Sequence, residues 1–144
     1  RTKEAIVELE AAGHALEPRG RFNGVWAPWA GDLAEEDPAR AAQLATTARV
    51  HAERFGTDTA IGEALRGVSL FARPEDATHL LAESVRHLEA SPSAYEHALA
   101  LVDHGIAIRS PRELARAHKL ATACGAESLA NRAHQARASI RSSE

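Results

Sequence analysis

Residues 91–130 read SPSAYEHALALVDHGIAIRSPRELARAHKLATACGAESLA, and how this stretch divides decides the fold. At its centre Ser110 stands as an N-cap, Pro111 takes the first helical position, and Glu113 follows at N3, which together make a capping box. Leu114, Ala117 and Ala121 then recur at helical spacing, and Gly125 after Cys124 is placed to close the helix in the left-handed conformation. Upstream, Ser91 as cap with Pro92 behind it leads into Ala94, Ala98, Leu101, Val102, Gly105 and Ile108 on one face. Two helices joined by a few residues form a helix hairpin, with no room for a strand.

The same punctuation extends in both directions. Thr57 or Asp58 caps a helix whose stripe is Ile61, Ala64, Leu65, Val68 and Ala72, and "ARPED" breaks it. Ala77, Leu80, Leu81, Ser84, Val85 and Leu88 form the next stripe. Asp37 as N-cap and Pro38 behind it open an earlier helix carrying Ala41, Leu44, Ala45, Ala48, Ala52 and Phe55, ended by Gly56. Helices over 3–17 and 25–35 precede it, and a last one runs from about Ala126 before a frayed "SIRSSE". Start signals near 25, 58 and 92 recur every 33 to 34 residues, each opening a pair. That period belongs to arrays whose hairpins bury their faces only by stacking on one another. The expected fold is all-α: one domain over 1–144, a right-handed α-solenoid of tetratricopeptide-like hairpins with about eight helices.

Composition agrees. Alanine occurs 32 times and leucine 14 times, against 11 valines and isoleucines together, a bias that favours closely packed helices. The net charge of −3 is no match for nucleic acid. Arg109, Arg112, Arg116, Lys119, Arg132, Arg137 and Arg141 concentrate near the C-terminus and read as a solvated basic face. The single cysteine, Cys124, excludes an internal disulfide, and no apolar run approaches the ~18 residues that span a bilayer, so a cytoplasmic location is expected. The chain begins at Arg1 and contains no methionine, as expected of an excerpt.

No catalytic constellation is legible. The eight histidines include no pair at i, i+3 or i, i+4, so no metal and no cofactor is expected. Glu83 and His87 read as a surface pair and His118 as a half-buried packing residue. Cys124 follows a helix instead of opening one and lacks the positive helix end that activates a thiolate. The chain reads as a binding module and not as an enzyme. Its groove would be lined by the first helix of each pair, which nominates Trp26, Arg66, Tyr95 and His104. Within "GVWAPWAGDL" (24–33), Trp29 reads as a core anchor and Trp26 as the ring free to meet a ligand or partner.

Three ordered segments carry a resemblance: "LEPRGRFNGVWAPWAGDLA", "IGEALRGVSLFARPEDATHLLAESVRHLEASPSAYEHALALVDHG" and "LATACGAESLANRA". Together they resemble the helical sensor region of large ATP-binding transcriptional regulators of the LuxR family. The resemblance implies a parent chain with a P-loop ATPase before this array and a DNA-binding helix-turn-helix after it. No Walker motif occurs here, so this segment would sense a small effector or peptide, or self-associate, without touching nucleic acid or membrane. The family's basic, glycine-containing turn near Ile108–Pro111 is replaced by the abrupt "IRSPREL". The alternative is a free-standing tetratricopeptide-like adaptor for protein or peptide partners.

Overall fold

The computed structural model describes residues 38–142, which form six α-helices and no strand. They are α1 (Pro38–Phe55), α2 (Asp58–Ser69), α3 (Pro74–Glu89), α4 (Ala94–Ala107), α5 (Pro111–Ala123) and α6 (Glu127–Ser142). Each packs against the next, in sequential adjacent pairs. The helices expected over 3–17 and 25–35, the Asp37 cap, Trp26 and Trp29 lie outside the described residues.

The local signals explain most boundaries. Thr57 Oγ1 accepts from the backbone N–H of Ala60 at the start of α2, and Asp58 occupies the first turn. Ser110 Oγ accepts from Glu113 N–H at 3.3 Å, giving half of the capping box. The other half is missing because the Glu113 carboxylate turns instead to His104. Gly56 and Gly125 both close helices at φ +76°, where a side chain would crowd the backbone. At the abrupt α4–α5 turn Arg109 itself adopts φ 51°, and Ser110 N–H reaches back to the Gly105 carbonyl at 2.8 Å. A residue with a side chain in this left-handed conformation is strained.

Two boundaries differ from expectation. Helix α4 begins at Ala94 with Ser93 at the N-cap position, because Ser91 Oγ accepts from Ser93 N–H and forms a turn of its own before the helix. At the C-terminus the expected fraying of "SIRSSE" gives way to helix through Ser142, held by Ile140, which is buried in the core.

The core is built largely of small side chains. Ala98, Leu101, Val102, Leu114, Ala117, Ala121, Leu129, Ala130, Ala133 and Ile140 form its main cluster between α4, α5 and α6. In α2 the buried residues are Gly62, Leu65 and Ser69, not the full Ile61–Ala72 stripe. The buried face is rotated because α3 approaches so closely that only glycine fits: a Cβ on Gly62 would lie 2.4 Å from Leu88 Cγ. Ser84 Oγ donates to the Gly62 carbonyl at 2.7 Å in the same contact. Phe55 and Ile108, both counted in stripes, are exposed, since each sits at a helix end past the last packed turn.

Candidate functional site

The first helices of successive pairs form a row. Helix α2 touches α4 and α4 touches α6, whereas α1, α3 and α5 make no such contact with one another among the described residues. Asp103, two-thirds of the way along α4, holds this row together. Its Oδ2 accepts from Arg66 of α2 at 3.3 Å, and its Oδ1 accepts from Arg132 of α6 at 2.7 Å. The Asp103 side chain is 16% exposed, so one carboxylate in a poorly solvated position ties three helices that are far apart in sequence.

Charge is crowded on the α2 side of the row. Burial pushes the Glu63 carboxyl up, the negative charge of Glu96 on α4 adds to that, and Arg66 opposes it. Arg66 nevertheless gives its ion pair to Asp103, and its Nε is buried without a hydrogen-bond partner.

Between α4 and α6 lies a groove of about 470 Å³ lined by Tyr95, Leu99, Leu129 and Arg132 and by residues 125–128, where the turn after α5 runs into α6. Tyr95 is half-exposed, a large amphipathic ring on the wall of a slot that Leu99 and Leu129 share with Glu127, Ser128 and Arg132. One guanidinium, Arg132, is fixed at the rim by Asp103.

The nominated residues therefore have different fates. Tyr95 lines the groove, and Arg66 belongs to the same row through Asp103. His104 turns away from the row: its Nδ1 donates to Glu113 Oε2 of α5 at 2.7 Å, inside its own hairpin. Trp26 lies outside the described residues. Asp103, Leu99 and Arg132 were not nominated. A lone acid inside the apolar run ALALVDHGIAI was the available signal for Asp103; nothing local marked its partners.

Other side chains also pair differently from expectation. His87 bonds Asp58 of α2 at 2.7 Å instead of Glu83, which pairs with Arg86. His118 is more exposed than a packing residue, with Nδ1 donating to the Ala130 carbonyl of α6 at 3.0 Å. The basic C-terminal face is partly neutralised from other helices, since Arg116 pairs with Glu89 and Arg132 with Asp103.

No group of three or more His, Cys, Asp or Glu able to hold a metal occurs among the described residues. Nor is any described helix long and apolar enough to cross a membrane. Comparison with protein-family models, curated proteins and solved structures finds no match to this chain.

Proposed function

We propose that the chain is a tetratricopeptide-like, right-handed solenoid segment that works by protein contact, as the sensing or self-association region of a LuxR-type ATP-dependent regulator. The observation that carries the contact reading is the row α2–α4–α6 with its open groove at Tyr95 and Leu99. Helices that touch on one side and stand apart on the other give an array curved toward the touching side, and such concave faces are where paired-helix arrays hold their partners. The three ordered sequence segments support the regulator context. An adaptor acting alone would use the same groove, so the surrounding reading frame separates the two.

Sedimentation velocity over a concentration series tests the contact reading. A reversible dimer is expected, weakened about tenfold by Tyr95→Ala, as for an aromatic anchor at an interface. A monomer at every concentration, or a dimer indifferent to Tyr95→Ala and Leu99→Ala, overturns self-association through this groove. A reading frame with neither an ATPase before the segment nor a helix-turn-helix after it overturns the regulator context.

A further inference from the structure

A second cleft lies on the other side of α4. Tyr95 and His97 are two residues apart, about 200° around the helix axis, so they project to nearly opposite sides. The cleft is about 360 Å³ and is lined by His97 and Leu101 of α4 and by Arg116, Lys119, Leu120 and Ala123 of α5. Its volume is within the range of small-ligand sites.

Its chemistry is divided. Leu120 and Ala123 supply an apolar floor, backed by Leu101, which is fully inside the core. Arg116 and Lys119 stand three residues apart on α5 and so lie side by side on one helix face. Arg116 gives one nitrogen to Glu89 at 3.1 Å, in a pair that is largely in solvent, and its guanidinium keeps further donors. His97 Nε2 is shut off from water and has no hydrogen-bond partner, an uncommon state for a buried polar atom. Burial holds the His97 imidazole toward its neutral form, with the Glu89 carboxylate favouring the charged form and Arg116 disfavouring it.

We infer that this cleft binds a small amphipathic anion, a carboxylate carried on an apolar body. The carboxylate would bridge Arg116 and Lys119 at the mouth, and the apolar body would lie on Leu120 and Ala123. Neither half suffices alone: two cations on an exposed helix face bind simple anions weakly because water screens them, and an apolar floor by itself sets no polarity. The site uses the opposite side of α4 from the Tyr95 groove, so it stands or falls independently of the proposed protein contact.

The test is isothermal titration of the 144-residue chain with octanoate, octanamide, acetate and inorganic phosphate, with the His97 ring followed by NMR. Octanoate is expected to bind saturably and shift the His97 ring resonances. Octanamide, acetate and phosphate should each bind at least tenfold more weakly. Lys119→Gln should weaken octanoate about tenfold and the Arg116→Gln/Lys119→Gln pair further, while Arg86→Gln, which removes an exposed cation elsewhere, should leave it unchanged. Both cleft variants change side chains that are largely in solvent, and circular dichroism checks that they fold. Equal binding of octanamide, undiminished binding by the double variant, or no octanoate binding at millimolar concentration overturns the inference.

Discussion

The α2–α3 and α4–α5 hairpins use the same fastener at opposite ends. In α2–α3, Gly62 meets Leu88 beside the His87–Asp58 bond, where the start of the first helix lies against the end of the second. In α4–α5, Gly105 meets Leu114 beside the His104–Glu113 bond, at the end closed by the turn. A Cβ on Gly105 would lie 3.0 Å from Leu114 Cγ, a looser approach than the 2.4 Å at Gly62. The His104–Glu113 pair is the drier one, with side chains 12% and 20% exposed against 27% and 48% for His87–Asp58. So the open end of one hairpin depends on packing, and the turn end of the other depends more on its polar bond. Because the hairpins are stacked, the two fasteners hold opposite edges of the array.

The largest expected effects come from the leucines. Leu88→Ala and Leu114→Ala remove side chains with no exposed surface and should each cost about 2–5 kcal/mol in urea denaturation, as large-to-small core changes do. The cost of Gly62→Ala should depend on which residue faces it. Alone, Gly62→Ala should destabilise by about 1–3 kcal/mol through overpacking, and in the Leu88→Ala background its added cost should fall markedly. Gly105→Ala should cost less than Gly62→Ala, because the Leu114 side chain need give only slightly. Equal costs at the two glycines would break the distinction between the hairpins.

Smaller effects separate the polar bonds. Glu113→Gln should destabilise by about 1 kcal/mol, since it weakens a partly buried charged hydrogen bond. Asp58→Asn, in a pair much more open to solvent, should cost less, within about 0.2–1 kcal/mol. The reverse order in thermal or urea melts would show that burial does not rank them.

The smallest expected effects are pH slopes of opposite sign. His97 in the second hairpin has its pKa lowered by folding, so the unfolded chain takes up the proton first as pH falls through about 6.5. Its contribution is therefore full above that pH and is lost as pH falls through the folded value; His97→Gln should flatten the decline. Glu63 in the first hairpin has its pKa raised, so the folded chain takes up the proton first. Its unfavourable charge is relieved as pH falls through the raised value, and Glu63→Gln should remove that gain. Melts of both variants between pH 4 and 8 check the two signs.

Much of this architecture can be read from local sequence, and the exceptions share a cause. Thr57, Ser110, Pro111, Gly56 and Gly125 act on backbone groups within a few residues, so their roles survive in the fold. Ser91 is misread because it had two local options and forms its own turn instead of capping the helix. The α2 stripe is misread because the large apolar residues Ile61 and Val68 look like the packing face, whereas a close helix contact selects Gly62 and Ser69. For the candidate site, the row of first-of-pair helices was legible, whereas the groove that Tyr95 lines depends on how α4 and α6 stack. His104 was placed on the right helix but turns to a different neighbour, because side-chain direction within a helix depends on the partner it meets.

The sequence by itself determined that the described residues are helical, where most of those helices start and stop, and that they pack as successive close pairs. Capping, proline placement and alanine richness act over a few residues and need no distant contact. Only the tertiary structure decided which faces are buried, that Asp103 joins Arg66 to Arg132, and that His97 and Lys119 share a cleft. Those relations join residues tens of positions apart, and they exist only once stacking has set the distance between helices.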